Sequence, residues 1–287
     1  MVLNYRNYRD TVECVRALEK IDYANFEIIV VDNDSKNESE QVLRETFGRH
    51  VIIQAGSNRG YAAGNNVGVR DALERGSEYV VILNNDTLVA PDFLTRVMAF
   101  ATGHPEAGLM GALIVREDGQ PDRMSARRIP PLTEIFWNRG PGKWFGTHAG
   151  LQARAYYESF AEFDRPTEVE IVSGSCMLLR SQLLEEIGLL DETTFLFWEE
   201  FILTEQVRRS SFKTFLLPDV RVTHKGGRSV SGIGTLASRA YLRSLNHYLR
   251  HYRGVGWIRR YLTLAGPALF FLPGAIKSLA GLRTRSA

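Results

Sequence analysis

The sequence predicts an α/β chain: a mostly parallel sheet with helices on both faces, followed by a basic helical tail. Three observations predict it. Strand and helix signals alternate through the first hundred residues. The strand signals at 26–31 and 79–83 are rich in β-branched residues, the first of the kind buried on both faces. The connections are short, which favours parallel strands joined by crossover helices.

The elements follow in order. Val2 and Leu3 read as the end of a short first strand. Residues 11–20 read as a helix with Val12, Val15, Ala17 and Leu18 on its apolar side. Residues 26–31 are the second strand, and Ser35 offers an N-cap for a helix to about Phe47. Residues 51–53 form a third strand, and 61–75 a helix ended by Gly76. Residues 79–83 are a fourth strand, and Pro91 opens a helix to about Ala101. Residues 116–168 hold Pro121, Pro130, Pro131, Pro141 and Pro166 among many aromatics, and read as an irregular excursion with short helices. Strands resume at 169–172 and 176–179, a helix starts at Ser181, and strands follow at 214–217 and 220–223. In the tail, 239–253 is amphipathic and 261–276 is uncharged and mostly apolar. That last segment is shorter than the ~20 residues that span a bilayer.

Composition narrows the classes. The 287 residues are 44% hydrophobic and 24% charged, which excludes fibrous, disordered and polytopic membrane chains. Two distant cysteines, Cys14 and Cys176, build neither a disulfide framework nor a cysteine-rich zinc site, and fit a reducing cytosol. The start carries no export signal. Twelve of the 35 Lys and Arg residues, and none of the 33 acids, fall in 220–287. The preceding body is therefore net −10. A basic tail behind an acidic body predicts an anionic partner: a membrane surface, ligand phosphates or nucleic acid.

In parallel sheets ligands sit beyond the carboxyl ends of the strands. Val31-Asp32-Asn33-Asp34-Ser35 sets a carboxylate and an amide there, suited to nucleotide hydroxyls or a base edge, or simply to turn chemistry. Between Asn58 and Gly68, Gly60, Gly64 and Gly68 recur every four residues, allowing close approach of a ligand or close helix–sheet packing. This is neither a dinucleotide fingerprint nor a P-loop. Asp86, in Leu83-Asn84-Asn85-Asp86-Thr87, can hold a divalent cation if a diphosphate supplies further oxygens. Glu200, after the aromatic run 195–198, can serve as a general base, or can be a carboxylate favoured at a helix N-terminus. His224 opens a loop with Lys225, Gly226, Gly227 and Arg228 that fits a phosphate and metal neighbourhood better than a structural role.

Taken in order, these pieces resemble the family 2 glycosyltransferases of the GT-A fold, particularly the rhamnosyltransferase-like members. The resemblance runs from Val2 to about Tyr252, through Val31 to Ser35, Asn58 to Asn66, Leu83 to Thr87, Val172-Ser-Gly-Ser-Cys176, Trp198-Glu-Glu200 and Pro218 to Gly227. It implies a catalytic domain over 1–232, with a nucleotide-sugar half at 1–115 and an acceptor half at 116–232, and a tail at 233–287. It implies that Asp32 and Asn4 hold the nucleoside, with Asn33 and Ser35 beside them. Asn58, Gly60 and Asn65 would line the nucleotide pocket. Asn84, Asn85 and Asp86 occupy the family's Asp-x-Asp-like position. Asp86 would bind Mg2+ or Mn2+, and His224 would complete the metal site. Glu200 falls where the catalytic base lies, with Glu199 as the fallback, and Gly174 and Trp198 face the acceptor side.

The acidic motif departs from the family's pattern, in which Glu-Asp is followed one residue later by another Asp; here it reads Glu199-Glu200-Phe201-Ile202. The resemblance implies an inverting transfer from a nucleotide-diphosphate sugar, with rhamnose as the suggested sugar, to a glycan or lipid-linked acceptor in cell-surface polysaccharide synthesis. The expected location is cytoplasmic, peripheral at the inner face of the membrane through the tail, with a homodimer as the tail's alternative use. Nucleic acid is a poor partner, because the acidic body opposes a duplex. Two rival functions are weighed. A sugar-nucleotide pyrophosphorylase would need a glycine-rich loop after the first strand, and Asn4-Tyr-Arg-Asn-Tyr8 has none. A non-catalytic nucleotide-sugar-binding subunit is the other, suggested by the altered acidic motif.

Overall fold

The β-branched runs form the centre of the sheet because both of their faces are covered. Val30 packs into one apolar cluster, and Ile29 and Val31 into a second on the opposite face. In the computed structural model, which describes residues 1–138, 164–226 and 234–283, nine strands make one sheet. The first 84 residues contribute β1 (Val2–Asn4), β2 (Ile29–Asp32), β3 (Val51–Gln54) and β4 (Tyr79–Asn84) in the order β3-β2-β1-β4, all parallel. Helices α1 (Tyr8–Leu18), α2 (Ser39–Phe47) and α3 (Tyr61–Glu74) connect them.

The sheet continues through β5 (Thr87–Val89), β6 (Ala107–Val115), β8 (Thr167–Glu168), β10 (Cys176–Arg180) and β11 (Lys213–His224). β10 lies antiparallel between β4 and β6, and β11 is parallel to β6. Six strands therefore run one way, which upholds the mostly parallel expectation. β7 (Ala126–Arg127) and β9 (Ile171–Val172) pair separately. The remaining helices are α4 (Phe93–Gly103), α5 (Leu132–Asn138), α6 (Ser181–Ile187), α7 (Glu199–Arg208), α8 (Gly234–His247) and α9 (Trp257–Arg283). A π-helical turn, Tyr248–Tyr252, extends α8.

Several local expectations are corrected. The first helix begins at Tyr8, ahead of Thr11. Ser35 caps nothing: α2 starts at Ser39, because the Ser35 hydroxyl is spent on Asp32 instead. Pro91 precedes α4 by two residues. The two strands expected at 214–223 are one. A register shift between Leu217 and Arg221 leaves Pro218, Asp219 and Val220 out of the ladder to β6, so the missing proline N–H costs no bond there.

The tail is corrected too. The apolar face of 239–253 is not free for a membrane. Tyr241, Leu245, Tyr248 and Leu249 are buried with Ile135, Trp198 and Ile202 in a third apolar cluster. The apolar segment 261–276 lies within one helix, α9, which continues through Pro267 and Pro273.

Candidate active site

Strand register aligns three polar residues at the carboxyl edge. Asn4 pairs with Asp32, and Asp32 with Gln54. Asp32 is buried at 1% exposure, so its charge needs partners. It has four: Oδ1 accepts from Asn4 Nδ2 at 2.6 Å and Ser35 Oγ at 2.5 Å, and Oδ2 accepts from the Ser35 amide at 3.1 Å and Gln54 Nε2 at 3.0 Å. The turn beyond is tight, with Asp34 and Lys36 both left-handed at φ 58° and 56°. Thr11 carries the network onward. Its hydroxyl donates to Asn4 Oδ1 at 2.7 Å and accepts from Asn85 Nδ2 at 3.0 Å. Asn85 also donates to the Asn7 carbonyl. Its Nδ2 is thus an internal tie to Asn7 and Thr11.

Asp86 meets His224 because Thr87 on β5 is the ladder partner of His224 on β11. Asp86 Oδ1 lies 3.1 Å from His224 Nε2, and the Lys225 amide donates to the Asp86 carbonyl at 3.1 Å. Among the described residues no three His, Cys, Asp or Glu side chains cluster as a complete metal site. One carboxylate and one imidazole nevertheless fit a divalent cation whose other ligands come from a bound diphosphate.

The start of α3 joins two sides of the molecule. Asn33 Nδ2 donates to Asn58 Oδ1 at 3.1 Å and to the Gly60 carbonyl at 3.3 Å. Gly60 has φ 104°, and a Cβ there would collide with the Phe195 backbone. The next amide, of Tyr61, donates to the Phe195 carbonyl at 2.9 Å. Gly64 and Gly68 pack against Leu3, Asn33, Met1 and Val31, which is the helix–sheet packing reading. Asn65 is fully buried and donates to the Tyr61 carbonyl, leaving Oδ1 without a partner.

The acid pair opens α7 from a strained turn: Phe197 and Trp198 are consecutive non-glycine residues at φ 71°. Glu199 is enclosed. Burial, and then the neighbouring Glu200, push its carboxyl up to about 8. Glu200 is half-buried. Its Oε1 lies 3.3 Å from Arg127 Nη2 and accepts from the Gly174 amide at 3.4 Å. Tyr61 Oη donates to the Gly174 carbonyl at 2.8 Å. Burial and the two glutamates hold the Tyr61 phenol well above its ordinary range. Arg127 is buried between Glu200 and the Phe201 ring, 4.9 Å from the ring centroid. Its Nε and Nη2 lack aligned hydrogen-bond acceptors, so the contact with Glu200 is ionic. Trp198 does not line an open acceptor side. It is 6% exposed and stacks on Tyr248 at 5.2 Å, supporting the turn from behind.

Residues 173–175 bridge the acid pair and the Asp86 corner. The Ser175 carbonyl accepts from the Asn84 amide at 3.0 Å and Thr87 Oγ1 at 3.4 Å, on either side of Asp86, while Gly174 holds Glu200. Asn4, Asp32, Ser35, Asn33, Asn58, Gly60, Asn84, Asp86, His224, Gly174 and Glu200 thus fall along one bonded edge. Sequence reasoning missed Thr11, Gln54, Tyr61 and Arg127. Gln54 was signalled by its place at the end of a strand; the other three carry no local pattern.

The chain matches the family model described as Glycosyl transferase family 2 over residues 2–188, which stops short of the acid pair and His224. It is 25% identical over 275 residues to the N-acetylglucosaminyl-diphospho-decaprenol L-rhamnosyltransferase of Mycobacterium tuberculosis, covering 90% of this chain and 83% of that one. It is 22% identical over 214 residues to the dTDP-rhamnosyl transferase RfbF of Shigella flexneri, covering 73% and 64%. Among solved structures it is similar to the Pyrobaculum calidifontis mannosyltransferase PcManGT in complex with GDP-Man and Mn2+. The TM-score is 0.56 at 16% identity, over 99% of this chain and 74% of that one. It is also similar to GalNAc-T7 with UDP, GalNAc and Mn2+, at TM-score 0.61 and 13% identity, over 88% and 48%. These likenesses uphold the GT-A fold.

Proposed function

The chain belongs to glycosyl transferase family 2, and from that premise we propose that it transfers a sugar from a nucleotide-diphosphate donor to an acceptor hydroxyl with inversion at the anomeric carbon. The donor lies along the strand ends, its nucleoside against Asn4, Asp32 and Asn33. Mg2+ or Mn2+ held by Asp86 and His224 would supply charge neutralisation to the diphosphate leaving group. Glu200 takes the proton of the acceptor hydroxyl. The hydroxyl oxygen forms its bond to the anomeric carbon as the bond to the diphosphate oxygen breaks, and the electron pair leaves on the diphosphate.

The observation that carries this reading is the bridge of residues 173–175, which ties Glu200 to the strand ends flanking Asp86. The rhamnosyltransferase names of the relatives make dTDP-rhamnose the first donor to try, and a lipid-linked glycan the first acceptor. A panel of nucleotide sugars, with and without Mn2+, should raise the melting temperature for one donor only when the cation is present. Glu200→Gln should keep that shift and lose transfer. Transfer by the Gln variant at the parent rate refutes Glu200 as the base.

A further inference from the structure

Helix α9 packs inward through Leu264 and Phe271, yet it also carries a second apolar face turned to solvent. Trp257, Ile258, Tyr261, Leu262 and Leu269 are exposed, by 68, 56, 62, 62 and 41%. At about 100° per residue they share one arc of roughly 140°. The face turned inward carries Thr263, Gly266 and Pro267, all buried, with Leu264 and Phe271 packed against the third apolar cluster. Gly266 sits there because α9 lies backbone-close on α5: a Cβ at that position would run into the Phe136 carbonyl.

We propose that this outward face of α9 docks the protein onto an anionic lipid surface. Two of its neighbours choose lipid over a second copy of the chain. By the same helical geometry Arg259 and Arg260 lie on opposite edges of the apolar arc. Arg239, Arg243 and Arg250 are exposed on the preceding helical segment, and no acid occurs anywhere in 220–287. A symmetric dimer through this face would press like charges together with no carboxylate of the tail to pair them. Lipid phosphates pair them, while Trp257 and Tyr261 suit the boundary between headgroups and acyl chains. Among the described residues no helix is long and apolar enough to cross a membrane, so the helix lies along the surface. The face is rigidly tied to the acid pair, since Tyr241, Trp198 and Phe271 belong to one apolar cluster at the start of α7. Docking is independent of the transfer chemistry and is tested without donor.

The experiment is co-sedimentation of the full chain with phosphatidylcholine vesicles containing about one part in four of phosphatidylglycerol, against vesicles of phosphatidylcholine alone. The chain should pellet with the anionic vesicles and be released by high salt. Trp257→Ala combined with Tyr261→Ala and Leu262→Ala should weaken binding at least about tenfold. Because those side chains point outward, the melting temperature should hold. Should that variant misfold, the parent's tryptophan fluorescence reports instead: it should shift to the blue on vesicles, and lose the shift in Trp257→Phe. Equal pelleting of parent and triple variant overturns the proposal. So does a parent that ignores vesicles and is a dimer in solution, dispersed by the triple variant.

Discussion

Arg127 Nη2 lies 3.3 Å from Glu200 Oε1, whereas Glu199, one residue earlier, is paired with no basic side chain among the described residues. Two adjacent carboxylates are thereby made unlike. One faces a buried cation, and the other is enclosed with an oxygen that has no partner. Arg127 is then a positioning residue for the acid proposed as the base. Arg127→Ala should lower kcat by roughly ten- to a hundredfold with the donor KM unchanged, and Arg127→Lys should recover part of the loss. A rise in donor KM at constant kcat would instead assign Arg127 to the donor.

Glu199 makes stability depend on pH. Unfolded, its carboxyl ionises near 4.5; folded, it holds its proton to about 8. Its contribution to stability is therefore fully present below about pH 4.5 and lost as pH rises through about 8. Glu199→Gln removes the ionisation. The variant should match the parent near pH 5 and exceed it near pH 8.5 by on the order of 2–4 kcal/mol, a melting difference of several degrees. Calorimetry at the two pH values decides, and melting curves that run parallel across the range sink the assignment.

The sheet and the strand-end residues were legible because both rest on short-range pattern. β-branched runs mark strands buried on both faces, and an Asp or Asn after such a run lands at the carboxyl edge whatever follows. What pattern does not carry is the identity of the partner. Ser35 reads equally as a helix cap or a carboxylate ligand, and the nearness of Asp32 decides it. The period of 239–253 shows an apolar face but not that Trp198 and Ile202 cover it. Arg127 sits on a two-residue strand inside an irregular stretch and reaches Glu200 only through tertiary packing.

The proposed cation site has two protein donors of different character. Asp86 is a buried carboxylate donor, and Asp86→Asn should abolish the Mn2+ dependence of the donor-induced melting shift. His224 is the weaker support, and His224→Ala should raise the Mn2+ concentration giving half the shift by roughly tenfold. Both effects are read by titrating Mn2+ at fixed nucleotide sugar. An unchanged titration in Asp86→Asn moves the cation elsewhere.

Thr11 joins the Asp32 corner to the Asn85 tie with a single hydroxyl. Thr11→Val keeps the shape and strands two buried amide groups, at a cost of about 1–3 kcal/mol. The melting temperature should fall by several degrees, and nucleotide binding should weaken with it because Asn4 loses its hold. A variant as stable as the parent would mean that water or a rearranged Asn4 takes the vacated bonds.

The tail is clasped to the catalytic body by Asp191, whose Oδ2 accepts from Tyr252 Oη at 2.6 Å and lies 2.7 Å from His247 Nε2. Burial pushes the Asp191 carboxyl up, but hydrogen bonds from Tyr252, Thr193 and His247 outweigh it and hold the group at about 2, against an ordinary 3.8. A depressed folded value means that the stabilisation is present above the unfolded value and is lost as pH falls through about 2. Asp191 is partly reached by solvent, so screening reduces the gain to on the order of 1 kcal/mol. Asp191→Asn should therefore melt a few degrees below the parent at pH 7, with the gap narrowing once pH drops below about 4. A gap of constant size from pH 7 to 3 would show that shape, not charge, holds the tail. Because the clasped tail packs behind Trp198, the same variant should slow transfer only as far as it loosens the turn that starts α7.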